Sequence, residues 1–171
     1  MARNLEIKAR VADLGAVRPV VSSLTRAPAV VMEQADTFFV VPNGRLKIRM
    51  FPDGSGELIA YERPNRAEPT ESVYWHVPCA RAGDLVAVLA AVLPVRGQVR
   101  KRREVFIIGR TRVHLDEVER LGSFVELEVV LRDDEPTESG DADARALMQT
   151  LGIHADTLVP EAYIDLLERV D

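Results

Sequence analysis

Lys47 and Arg49 stand two residues apart in Leu46-Lys47-Ile48-Arg49-Met50, and Lys101 and Arg103 repeat that spacing. Arg110, Arg112, His114 and Asp116 form a third set at every second position, and Glu126 with Glu128 a fourth. Residues two apart in an extended strand share a face, so each set presents its charges to one side. Clustered Lys and Arg suit a polyanion such as a di- or triphosphate, the guanidinium giving planar bidentate contacts and the ammonium a point charge. Carboxylates beside them are poor phosphate contacts, but they are good oxygen ligands for Mg²⁺ or Mn²⁺, which bridges acids to phosphate oxygens. Spacing alone is equally met by ordinary strands with solvated charged faces, and on that ground alone the plain reading comes first.

What positions these residues is a series of strands with two unlike faces. In Asn4-Leu5-Glu6-Ile7-Lys8-Ala9-Arg10 apolar and polar residues alternate with period two. The pattern recurs at 46–50, 112–116 and 124–128, and a small barrel would turn all four charged faces onto one lumen. Residues 13–24 carry Leu14, Val17, Val21 and Leu24 at helical spacing behind Asp13 as N-cap, with Pro19 counting against an unbroken helix. Short strands are expected at 30–33, 37–41 and 45–50, a hairpin at 52–56 leads into 57–63, and 64–71 reads as an exposed loop. A strand at 73–77 precedes a helix at 81–93; within the long run 95–108 Gly97 opens a strand, 111–118 pairs back on it, and a strand at 124–131 follows. The acidic stretch 133–141 reads as a solvated linker to a helix at 142–151, and Pro160 opens a last helix. Strands joined mostly as hairpins, with three or four helices, make an antiparallel α+β domain over 1–171.

Composition narrows the class. The chain has 171 residues, 47% hydrophobic and 29% charged, the profile of a soluble globular domain. A net charge of −5 gives no electrostatic reason to expect nucleic acid. The single cysteine, Cys79, excludes an intramolecular disulfide, reads as structural, and fits a reducing cytoplasm. No apolar run reaches the ~20 residues of a membrane span, and the charged N-terminus is not a signal peptide.

Five segments in order resemble the CYTH family: Asn4-Leu5-Glu6-Ile7-Lys8, Asp36-Thr37-Phe38-Phe39, Leu46-Lys47-Ile48-Arg49, Lys101-Arg102-Arg103, and His114 through Glu128. The closing Ala162-Tyr163-Ile164-Asp165-Leu166-Leu167 is similar to the class IV adenylyl cyclase-like branch. The resemblance implies an antiparallel eight-stranded β-barrel, the triphosphate tunnel, open at both ends, with flanking helices. It implies that Lys8, Lys47, Arg49, Lys101, Arg103 and Arg112 grip phosphates. It implies that Glu6, Glu126 and Glu128 hold Mg²⁺ or Mn²⁺, with Asp116 a further ligand or an acid/base. Asp116, Lys8 and Arg112 are the catalytic expectations.

Two departures bear on the substrate. The family's opening Glu-x-Glu-x-Lys begins with Asn4 here, removing a carboxylate from the expected metal site. Where the family tends to have a lysine, the chain runs Tyr61-Glu62-Arg63-Pro64, so the phosphate grip depends on whether Glu62 or Arg63 faces inward. His114 shares a face with Arg112 and Asp116 and is a proton-carrier candidate, balanced against a structural histidine; His76 and His154 read as surface residues. Of Tyr74 and Trp75 one is expected in the core and the other at the lumen. Tyr163 is a candidate cap for the tunnel. The expected activity is that of an adenylyl cyclase, ATP to cyclic AMP and pyrophosphate. The alternatives are a thiamine or inorganic triphosphatase and a non-catalytic phosphate-binding module. The expected partner is a nucleotide or other triphosphate, with no nucleic acid or membrane and a monomer or homodimer.

Overall fold

The computed structural model describes residues 2–65 and 68–170. Its eight strands are β1 (Ala2–Arg10), β2 (Val30–Phe39), β3 (Arg45–Met50), β4 (Gly56–Glu62), β5 (Thr70–Cys79), β6 (Val95–Ile108), β7 (Thr111–Val118) and β8 (Gly122–Leu131). They close into one barrel in the order β1-β5-β4-β3-β2-β6-β7-β8, with every neighbouring pair antiparallel. The helices are α1 (Leu14–Ser23), α2 (Ala82–Ala90), α3 (Thr137–Thr150) and α4 (Tyr163–Leu167), with a 3₁₀ turn at Ala155–Thr157.

The alternation in the sequence is explained by an inverted barrel, charged inside and apolar outside. Leu5, Ile7 and Ala9 of β1, Val113 and Leu115 of β7, and Val125, Leu127 and Val129 of β8 point outward into the main core. There Leu14 and Val21 of α1 and Ala144 of α3 cover them. A smaller core joins Phe39 and Ile48 to Ala82 of α2. Close approach at that seam requires Gly56: a Cβ there would stand 2.0 Å from the Arg49 carbonyl oxygen and 2.8 Å from the Ala82 Cβ.

The third core fills one end of the barrel. Tyr163, Ile164 and Leu167 of α4 bury themselves among Phe38, Val99, Val118 and Phe124. The end is tied shut by backbone contacts: the Val159 amide donates to the Lys8 carbonyl at 2.8 Å, and Ala9 bridges to Leu158. The family resemblance implied a tunnel open at both ends; here the segment after α3 closes one of them.

Local expectations differ from the structure in four places. The runs at 30–33 and 37–41 are one strand, β2, because Gln34, Ala35 and Asp36 continue its pairing with β6. Helix α1 continues through Pro19, which sits on its exposed side, while Asp13 caps it by accepting from the Gly15 amide at 2.7 Å. The 133–141 stretch is no free linker: Glu135 is buried against Arg110 and accepts from Ser139, and α3 begins at Thr137. Arg110 therefore faces outward to Glu135 and Asp143 and leaves the set formed by Arg112, His114 and Asp116. The 64–71 loop ends at Thr70, where β5 begins, and its residues 66 and 67 lie outside the described residues.

Candidate active site

The inward faces of the strands enclose a cavity of about 410 Å³. Its open end is identified by exposure along β7, where the side chain is 34% exposed at Arg112, 5% at His114 and 0% at Asp116. The rim carries Arg112, Tyr74, His76 and Glu57; the floor is Ala162 and Tyr163.

At the floor, Arg103 makes a bidentate pair with Asp116, 2.7 Å from Nε to Oδ1 and 2.6 Å from Nη2 to Oδ2, and its Nη2 also contacts Glu126. The Tyr163 hydroxyl donates to the same Asp116 at 2.9 Å, and Lys101 Nζ lies 3.5 Å away. Burial alone would raise Asp116, but the Arg103 and Lys101 charges bring it down to about 2. Asp116 thus stands behind Arg103 and does not line the cavity. Lys8 donates to the Glu161 carbonyl at 2.9 Å, lies 3.7 Å from Glu126, and sits 4.2 Å from the Tyr163 ring centre. Burial pulls it down to about 8.

On the wall made by β2 and β3, Asp36 accepts from Lys47 at 2.7 Å and from Arg49 at 2.8 and 2.9 Å. The bidentate grip follows from register, since Asp36 is directly opposite Arg49. Asp36 is held well below the usual carboxylate range by Arg49 and Lys47, which overcome its burial. Lys47 falls to about 8, through burial first and Arg49 second.

Just past the end of β4 Arg63 faces inward and Glu62 is exposed, which settles the ambiguity in Tyr61-Glu62-Arg63-Pro64. Arg63 lies 3.1 Å from Glu6 and donates to the Pro160 carbonyl at 3.1 Å. Burial and the Glu128 charge push Glu6 up to about 7 against Arg63. Asn4, with its carboxamide oxygen turned to Arg112, accepts from Nη2 at 2.9 Å. Arg112 also donates to Glu128 at 2.9 Å and to the Tyr74 hydroxyl at 3.3 Å.

Three donors converge beside these pairs: His114, Glu126 and Glu128 each bring an atom to within 4.8 Å of the others. His114 Nδ1 lies 3.6 Å from Glu126 Oε2 and 3.7 Å from Glu128 Oε1, and it is buried without a hydrogen-bond partner. An orphaned ring nitrogen facing two carboxylates fits a divalent cation. Glu6 and Asp116, the other expected metal ligands, lie outside this trio, held by Arg63 and Arg103.

The barrel thus brings Lys8, Lys47, Arg49, Arg63, Lys101, Arg103 and Arg112 to one cavity with Glu6, Glu126 and Glu128. Asp36 carried no role in the sequence reading. Splitting β2 hid that Met32, Gln34, Asp36 and Phe38 fall at alternate positions on one lumen face. Tyr74 is the aromatic that turns inward, and Trp75 stays outside.

A CYTH domain model matches residues 2–163. The chain belongs to the CYTH family. The CYTH barrel described above superposes on the PH1012 protein of Pyrococcus horikoshii OT3 with a TM-score of 0.83 at 23% identity, covering 95% of this chain and 98% of that one. A candidate adenylate cyclase from Vibrio parahaemolyticus aligns with a TM-score of 0.76 at 20% identity, over 96% and 97% of the two chains. HpAC1 from Hippeastrum, a candidate adenylyl cyclase described as having a dominant triphosphatase activity, aligns with a TM-score of 0.67 at 15% identity over 100% and 97%. These likenesses establish a shared CYTH fold. A comparison with curated proteins finds no match.

Proposed function

We propose that this CYTH protein is a metal-dependent enzyme acting on a nucleoside triphosphate, of adenylyl cyclase type. The observation that carries the reading is the convergence of seven cationic side chains on one blind cavity that also presents Glu126 and Glu128 from one face of β8. Each cation already has an acidic neighbour or an acceptor, so the cavity is close to electrical balance. A triphosphate entering alone would upset that balance by several negative charges, whereas one entering with divalent cations would not.

The chain's own residues then have distinct tasks. Lys47, Arg49, Lys101 and Lys8 hold the inner phosphoryl groups, and Arg63 and Arg103 flank them. Glu126 and Glu128 would hold the metal, which polarises phosphoryl oxygens and the attacking oxygen when bound. Arg112 at the rim is placed for the α-phosphate, where the substrate's 3′-hydroxyl would attack. Asp116 keeps Arg103 aimed, since two of the guanidinium's bonds run to it and the third to Glu126. At the mouth Tyr74 and His76, with ring centres 6.1 Å apart, offer a stacking surface for an organic group. That surface supports a nucleotide over inorganic triphosphate.

Hydrolysis is the second reading, favoured by the activity described for HpAC1, because water and the ribose hydroxyl can use the same phosphate grip. Incubation with ATP or inorganic triphosphate, with Mg²⁺ or Mn²⁺, followed by product chromatography separates the outcomes. Cyclic AMP with pyrophosphate is expected. ADP with phosphate would establish hydrolysis, and absence of any product from either substrate would refute an enzyme of this class.

A further inference from the structure

We propose that His114 is a metal ligand through Nδ1, and that with Glu126 and Glu128 it makes a site selective for a divalent transition cation of the Mn²⁺ or Co²⁺ kind over Mg²⁺. The inference deepens the functional reading by naming which cation the chain takes and which side chain decides it.

The first support is the unpartnered nitrogen. His114 Nδ1 is buried, has no hydrogen bond, and faces two carboxylate oxygens at 3.6 and 3.7 Å. Those distances are too long for N–H···O bonds, which close to ~2.7–3.2 Å. They approach the separation of two ligands on one ion, since donors ~2.0–2.2 Å from a metal stand roughly 3 to 3.6 Å apart. A proton left on Nδ1 would draw one carboxylate in; a cation among the three atoms satisfies all of them.

The second support is what the other oxygen donors are doing. Asn4 gives its oxygen to Arg112, and Glu6 is engaged by Arg63. Glu126 and Glu128 are also held by guanidinium groups, each at its Oε2 by Arg103 and Arg112, but theirs are the two carboxylates that face His114 Nδ1. Two carboxylates and waters make a poor discriminator between Mg²⁺ and Mn²⁺. Adding an imidazole tips the set, because Mg²⁺ prefers oxygen donors in strict octahedral geometry whereas transition ions accept ring nitrogen. Ligation requires the neutral imidazole with its proton on Nε2, leaving the Nδ1 lone pair for the ion.

The test uses chelator-stripped full-length protein without any triphosphate, so its failure leaves the triphosphate reading standing and the reverse also holds. Calorimetric titration with MnCl₂, CoCl₂ or MgCl₂ should give at least tenfold tighter binding of Mn²⁺ and Co²⁺ than of Mg²⁺. The Mn²⁺-loaded protein should show ¹⁴N coupling in pulsed EPR. In His114→Ala the coupling should vanish and Mn²⁺ affinity fall at least tenfold, with Mg²⁺ affinity changing less than about threefold. His114→Asn, which retains a donor of similar reach, provides the comparison if the alanine variant fails to fold by circular dichroism; it too should lose the ring-nitrogen signal. Equal affinities for Mn²⁺ and Mg²⁺ in the wild type, or ¹⁴N coupling absent from it or persisting in both variants, would overturn the assignment.

Discussion

Lys47 shows how a single side chain is tuned by its company. Burial and the neighbouring Arg49 bring it down to about 8, with Asp36 pulling the other way. Below that pH the ammonium is charged; above it the free protein holds a neutral amine, and an entering polyanion must restore the proton. Triphosphate affinity should therefore fall as pH rises through about 8, by up to about tenfold per unit, with net proton uptake on binding. Calorimetry in buffers of different ionisation enthalpy between pH 7 and 9.5 measures both quantities. Lys8 is brought down to about 8 as well, so Lys47→Arg should make the curve shallower without abolishing it, and a slope unchanged by Lys47→Arg would show that Lys47 does not meet the anion. At this scale the sequence was legible by face but not by partner. Lys47 and Arg49 share a face because of period two, whereas their common carboxylate, Asp36, is supplied by the register of another strand. Arg63 is the converse case: past the end of β4 it continues the inward alternation of Glu57, Ile59 and Tyr61, so it, and not Glu62, turns into the cavity.

Among the elements, the strands were legible almost to the residue where hydrophobic alternation was unbroken. β3 and β7 begin and end where the pattern does, whereas β6 starts at Val95, two residues ahead of Gly97, and its charged run 100–104 carries no alternation. β2 was not, because Gln34 and Asp36 make its lumen face polar while Glu33 interrupts the apolar run on the other face. α4 was legible as a helix but its seat was not, since three of its five residues, Tyr163, Ile164 and Leu167, bury themselves among side chains from β2, β6, β7 and β8. The junction of β3, β4 and α2 gives a test at this scale. Gly56→Ala forces a methyl against the Arg49 carbonyl and the Ala82 side chain, so it should destabilise by about 1–3 kcal/mol or more, lowering Tm by ~2–4 °C per kcal/mol. Gly83→Ala, whose added methyl would meet nothing within 4 Å, serves as the control and should lose little or nothing. Thermal melts of the two variants that coincide would contradict the packing described at this seam.

For the whole molecule, closure of the barrel removes free sheet edges and turns the charged strand faces toward one another, so that side chains far apart in the chain neutralise each other in a shared interior. Seating α4 in one end has a kinetic corollary. On the proposed function a chain of phosphates would lie in a sleeve for which the described residues leave one doorway, and whatever fragment is severed deepest would wait until the outer fragment has gone. On the cyclase reading the order is cyclic nucleotide first and pyrophosphate last. In steady state pyrophosphate should then compete directly with ATP, while cyclic AMP inhibits in a mixed pattern. The opposite pattern would mean that the stoppered end opens during turnover and gives the inner fragment an exit of its own.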